Sequence, residues 1–199
     1  MSLVIVDTGC ANLASVKYAF ERLGAAPIIS DAADVITSAD RVVLPGVGSA
    51  PFAMQSINAK SLKPVLQSLK QPVIGICLGM QLLFEKLEEG GETVDGLGLV
   101  DGTIASLDTG KLPSPHMGWN TLSPVKSDPL LEGVTDGGFA YFVHSYAAEI
   151  SDATLATSDY GSPFSAIVRK GNVWGCQFHP ERSSKTGAKI LKNFLDIKL

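Results

Sequence analysis

The chain has 199 residues, 45% hydrophobic and 18% charged, with a net charge of −4. That is enough apolar material for one well-buried core, and it leaves no basic footprint for nucleic acid. Its start, Met1-Ser2-Leu3-Val4-Ile5-Val6-Asp7, breaks to a charge at Asp7, and no later apolar run approaches the roughly 18 residues of a membrane span. The expectation is one cytoplasmic domain over residues 1–199, with no nucleic-acid or membrane partner. Three cysteines, Cys10, Cys77 and Cys176, are odd in number and form no CxxC pair, so reduced thiols are expected rather than a disulfide or zinc framework.

Residues 3–6 read as a first strand, followed by a helix carrying Leu13, Val16, Phe20 and Leu23 on one face and closed by Gly24. A short strand is expected over 27–29, a short helix over 32–37, and an apolar strand over 41–44 that runs into Pro45-Gly46-Val47-Gly48. Helical segments around Phe52 and over 62–69 lead to a strand over 73–76, after which Leu82, Leu83 and Phe84 continue as a helix. This β-α-β-α-β series implies a parallel sheet. Beyond Glu89 the texture turns β-rich and hairpin-like, with segments at 97–107, 119–125, 138–150, 153–157, 164–169 and 173–178. A last helix carries Ile190, Leu191, Phe194 and Leu195 on one stripe. The fold class is α/β, a central mostly parallel sheet flanked by helices with added antiparallel strands in the C-terminal half.

Cys77 falls at a strand-to-helix junction, inside Gly75-Ile76-Cys77-Leu78-Gly79-Met80-Gln81. In a parallel sheet that junction lies on the ligand-binding edge, and Gly75 and Gly79 let neighbouring backbone come close. The turn resembles a nucleophile elbow, and the free N–H groups of the following helix should lower the thiol's pKa from its usual 8.5 or so. Far along the chain, alternation in the strand over 173–178 puts Gly175, Gln177 and His179 on one face. Pro180 stops regular pairing there, and Glu181 is close enough to orient the imidazole. A Cys77-His179-Glu181 triad is therefore expected. His116, read as lying in a loop, and His144, in a strand, have no following carboxylate nearby and suit structural roles better. Pro45-Gly46-Val47-Gly48 lacks the Gly-Lys-Ser/Thr of a phosphate loop, so its backbone N–H groups are available, with that of Leu78, for an oxyanion. No metal or cofactor is called for.

These strings, with His179-Pro180-Glu181, resemble the triad-type class-I glutamine amidotransferases and their flavodoxin-like fold. His116-Met117-Gly118-Trp119-Asn120, Phe142-Val143-His144-Ser145-Tyr146 and Asp7-Thr8-Gly9-Cys10-Ala11-Asn12-Leu13 narrow the likeness to the glutaminase subunits of imidazole glycerol phosphate synthases. The resemblance implies Cys77 as nucleophile, His179 as proton shuttle and Glu181 as its orienter. It also implies Leu78, Val47 and Gly48 at the oxyanion, and Gly48, Gln81, Ser145 and Tyr146 holding glutamine, with His144 in the same wall. Its partner would be a (β/α)8 cyclase subunit forming a heterodimer, met at Asn12, Trp119 and Arg182, the first two expected in loops at strand ends. Ala11 stands where the pattern has Gly, Cys10 is an extra thiol, and Arg182 stands where Lys is also frequent. A glutaminase of another synthase, a silent regulatory subunit and a cysteine peptidase on a related fold remain as alternatives.

Overall fold

Leu3, Val4, Ile5 and Val6 are all buried, as a strand covered on both faces must be, and they form β1 (Leu3–Val6). Leu3 and Ile5 pack with Phe20 and Phe194 on one face, while Val4 and Val6 pack with Met54 and Ile57 on the other. The computed structural model describes residues 1–9 and 11–198, so the expectations for Cys10 lie outside the described residues. From β1 the chain passes through α1 (Leu13–Arg22), β2 (Ile28–Ser30), α2 (Ala33–Thr37), β3 (Arg41–Gly46), α3 (Ala50–Ala59), α4 (Leu62–Ser68) and β4 (Val73–Cys77). The four strands pair in parallel in the order β2-β1-β3-β4.

Past β4 the helix expected to continue through Phe84 is cut short. α5 (Leu78–Gln81) is one turn long, and Phe84 opens β5 (Phe84–Glu89). The carbonyls a longer helix would need are taken from elsewhere: Leu82 O accepts from Leu97 N–H at 2.8 Å, Leu83 O from Leu99 N–H at 2.8 Å, and Phe84 O from Gly98 N–H at 3.1 Å. The side chains of Leu82, Leu83 and Phe84 are buried in the process.

The remaining strands and α-helix are β6 (Glu92–Asp95), β7 (Val100–Ser106), β8 (His116–Pro124), β9 (Gly138–His144), β10 (Tyr146–Ala148), β11 (Thr154–Asp159), β12 (Pro163–Lys170), β13 (Val173–Cys176) and α6 (Ser184–Asp196), with 3-10 turns at Pro129–Leu131 and Pro180–Arg182. β13 joins the sheet beside β4 as a fifth parallel strand, giving the flavodoxin-like order β2-β1-β3-β4-β13, and β12, β11, β8 and β9 extend it in antiparallel fashion. A separate sheet runs β10-β7-β5-β6.

Two expectations are corrected here. His116 and Trp119 are not in loops: both belong to β8, which pairs with β9 from His116↔His144 to Leu122↔Gly138. Residues 138–150 are not one strand either, because the chain leaves the nine-stranded sheet at Ser145 and enters the four-stranded one at Tyr146. No helix among the described residues is long and apolar enough to cross a membrane.

Candidate active site

Cys77 ends β4 with φ 53° and ψ −114°, a conformation that costs a non-glycine residue of order 1–3 kcal/mol. Missing side chains around it make the turn possible. A Cβ on Gly79 would lie 1.8 Å from Leu44 O, and one on Gly75 would lie 2.5 Å from Gly79 O. α5 therefore sits directly on the backbones of β3 and β4, and the sharp turn thrusts the Cys77 side chain into a cavity of about 290 Å³ at the sheet's carboxyl edge. The sulfur lies 3.7 Å from Val143 O of β9.

His179 follows β13, the neighbour of β4, and lines the same cavity. Its Nδ1 lies 2.8 Å from Glu181 Oε1, the carboxylate being only 2% exposed. The turn that presents this pair is clamped to the far edge of the sheet: His179 N–H donates to Tyr141 O at 2.9 Å, and the buried Ser183 hydroxyl donates to His179 O at 2.7 Å while accepting from Tyr141 N–H at 2.9 Å. Burial by itself would push the imidazole's pKa down. Hydrogen bonds and charge from Cys77 and Glu181 outweigh it and raise the pKa to about 10. His179 is thus an imidazolium at neutral pH.

The other two histidines behave oppositely. Burial lowers His116 to about 4, and burial, aided by the charges of His116 and His179 against a hydrogen bond to Tyr146, lowers His144 to about 4. Cys176 is fully buried, and desolvation pushes its thiol upward, which keeps it protonated.

Nine of the expected site residues line the one cavity: Val47, Gly48, Cys77, Leu78, Gln81, His144, Ser145, Tyr146 and His179, with Glu181 directly behind His179. Gln81 Nε2 donates to Tyr146 O at 3.0 Å and to Gln177 Oε1 at 3.1 Å. Both ring nitrogens of His144 are engaged, by Tyr146 O at 2.9 Å and His116 at 3.0 Å, so this residue builds the wall. Asn12, Trp119 and Arg182 lie outside the cavity and exposed; Asn12 caps α1 by accepting from Ser15 N–H, and Trp119 packs edge-on against Tyr141. Among the described residues no His, Cys, Asp and Glu side chains are grouped to hold a metal ion.

Sequence reasoning missed Glu89, the one carboxylate lining the cavity, whose Oε2 accepts from Ala50 N–H at 2.7 Å. It missed Ser183 and the backbone of Tyr141 as well. The spacing of Ser183 four residues after His179 was the available signal for the first of these; nothing local marked Glu89, which reads as one more polar strand residue.

Residues 4–197 match the family model for glutamine amidotransferase class-I. The chain belongs to this family. As a class-I amidotransferase it is similar to the imidazole glycerol phosphate synthase subunit HisH of Vibrio parahaemolyticus, 50% identical over 199 residues and 98% of each chain. It is likewise similar to the protein of the same name from Idiomarina loihiensis, 51% identical over the whole of both chains. Among solved structures, the amidotransferase fold recurs in PurLQS from Thermotoga maritima, with a TM-score of 0.72 at 21% identity, covering 98% of this chain and 97% of that one. A crystal structure of another glutamine amidotransferase aligns with a TM-score of 0.74 at 17% identity and 97% coverage of both.

Proposed function

We propose that this chain, acting as a single amidotransferase domain, is the glutaminase subunit of an imidazole glycerol phosphate synthase. It hydrolyses glutamine to glutamate and ammonia and passes the ammonia to a cyclase subunit in histidine biosynthesis. Half-identity along the whole length to relatives bearing that name supports the pairing. The observation that carries the chemistry is Cys77, held at positive φ in one cavity with the His179–Glu181 pair.

The Cys77 sulfur attacks the side-chain amide carbon of glutamine, and the carbonyl oxygen becomes an oxyanion met by the N–H of Leu78 and the Val47–Gly48 peptide. His179 starts the cycle carrying the proton that the departing ammonia needs. With that proton given away, it is a base beside Glu181, ready to take one from water as the glutamyl thioester is hydrolysed. Losing one oxyanion donor typically costs about 10²- to 10³-fold in rate. At the amino-acid end, Gly48, Gln81 and the Ser145–Tyr146 backbone hold glutamine, His144 stands in the wall, and the Glu89 carboxylate complements the substrate's α-ammonium group.

A (β/α)8 cyclase subunit, forming a heterodimer, docks at Asn12, Trp119 and Arg182, each of them exposed. Trp119 is 53% exposed and Met117 62%, an apolar pair suited to an interface anchor. The cytoplasm, which keeps the Cys77 thiol reduced, is the compartment this chemistry requires.

Glutamate release from glutamine by the purified chain, alone and with the cyclase subunit plus its nucleotide ligand, tests this reading against a Cys77→Ala blank. Release that rises sharply in the complex is the expected result. No release in either state, with Cys77 also unlabelled by a glutamine-analogue electrophile, would overturn it.

A further inference from the structure

A largely buried line of hydrogen bonds runs back from the glutamine-holding residues to Asn120. Asn120 Nδ2 lies 3.3 Å from His116 Nε2; His116 Nδ1 lies 3.0 Å from His144 Nε2; His144 Nδ1 lies 2.9 Å from Tyr146 O. That same carbonyl accepts from Gln81 Nε2, which also donates to the fully buried Gln177. Only one sense of donation satisfies every link. A carbonyl can only accept, so His144 carries its proton on Nδ1 and offers a bare Nε2. His116 must then donate from Nδ1 and accept, on Nε2, from the Asn120 amide. Both imidazoles are therefore neutral, in accord with their depressed pKa values of about 4.

The rings are also fixed in place. His116 and His144 face each other in register across β8 and β9, and His116 is stacked between Tyr160 and Phe142 at centroid distances of 4.0 and 4.9 Å. What the line reaches is the Ser145–Tyr146 stretch of cavity wall. At Ser145 the chain crosses from one sheet to the other, so this segment lacks a continuous ladder. Ser145 O accepts from Leu107 N–H at 2.9 Å, while Tyr146 O is held by His144 and Gln81.

We propose that the His116–His144 pair is a positioning device for glutamine: through the Tyr146 carbonyl it sets both the Ser145–Tyr146 backbone and the Gln81 amide against the substrate's amino-acid end. The proposal rests on the glutaminase reading. His116 and His144 thus act through their neighbours, and their effect belongs to substrate binding rather than to bond cleavage.

His116→Phe keeps the stacked ring and removes both hydrogen bonds, whereas His116→Asn keeps a donor near the Nδ1 position. The expected result is a KM for glutamine raised about tenfold in the Phe variant, as for an orphaned buried polar group, with kcat within about threefold of wild type. The Asn variant should recover most of the KM. In ¹⁵N spectra of the imidazoles, wild-type His144 should be the Nδ1–H tautomer, and His116→Phe should convert it to a mixture. A merely structural pair would lower the melting temperature and leave KM unmoved. An unchanged KM in the Phe variant, or a wild-type His144 protonated on Nε2, overturns the proposal. If His116→Phe does not fold, Asn120→Leu, which removes the donor that fixes the His116 tautomer, takes its place: a KM raised severalfold supports the proposal and an unchanged KM overturns it. Failure of the glutaminase reading is a separate result, seen as no glutamate from the wild-type chain in the presence of cyclase, and the proposal falls with it.

Discussion

Three histidines occupy two buried regions of this molecule and end in opposite charge states. His179 sits against Glu181 and Cys77 and is raised to about 10; His116 and His144 sit against each other, an amide and a carbonyl, and are lowered to about 4. Burial disfavours the charged form in both regions, so burial does not decide the outcome. The buried carboxylate and the sulfur decide it. The same side chain is thereby favoured in its charged form in one place and held as a neutral, directional hydrogen-bond link 35 residues earlier in the chain, at position 144.

Removing the carboxylate tests the first half of this contrast most severely. Glu181→Gln should cut kcat for glutamine hydrolysis by about 10²- to 10⁴-fold and drop the His179 titration, followed by NMR, well below 10. A variant that kept both would show that the cysteine alone charges the imidazole.

The two regions also predict opposite arms in the pH dependence of stability, measured by urea unfolding. His116 and His144 are depressed below their unfolded value of about 6.5, so their contribution is complete above 6.5 and is lost as the pH falls toward 4, on the order of several kcal/mol for the pair. His179 is raised, so its contribution is complete below 6.5 and is lost as the pH rises through 10. His116→Phe should flatten part of the acid arm only, and Glu181→Gln the alkaline arm only; any crossing of these effects breaks the comparison.

The smallest effect comes from importing a carboxylate. Asn120→Asp places one beside His116 Nε2 and should lift that histidine from about 4 to near or above its ordinary 6.5, read by NMR titration. A His116 that stays depressed would mean that its aromatic surroundings, and not the lack of a carboxylate, set its state.

Much of this was legible in the chain. Strands covered on both faces announce themselves as runs such as Leu3-Val4-Ile5-Val6, and the meeting of Cys77 with His179 could be expected because each sits at the end of such a run, where a parallel sheet collects its ligand-facing residues. Local pattern failed where distant backbone overrode it. Leu82, Leu83 and Phe84 have helical character, but Leu97, Gly98 and Leu99 claim their carbonyls. His116 follows Pro113-Ser114-Pro115 and reads as loop, yet pairing with His144 makes it the first residue of a strand. Glu89 became a cavity residue only through the way β5 lies against the start of α3, a relation between elements that no spacing records. The outward face of Trp119 was likewise undetermined until β8 had a partner.

The order of strands across the sheet has a consequence for biosynthesis. β4 and β13 are neighbours in register, Val73 beside Val173, although 100 residues of chain separate them. Cys77 is therefore translated long before His179, and the pocket wall, from Val143 to Tyr146, is made in between. A nascent or truncated polypeptide that stops short of residue 173 holds a thiol with no imidazolium, no clamp and no orienting carboxylate. On the proposed chemistry such a fragment is expected to release no ammonia from glutamine, because the pairing of β13 with β4 is the one that brings His179 to Cys77.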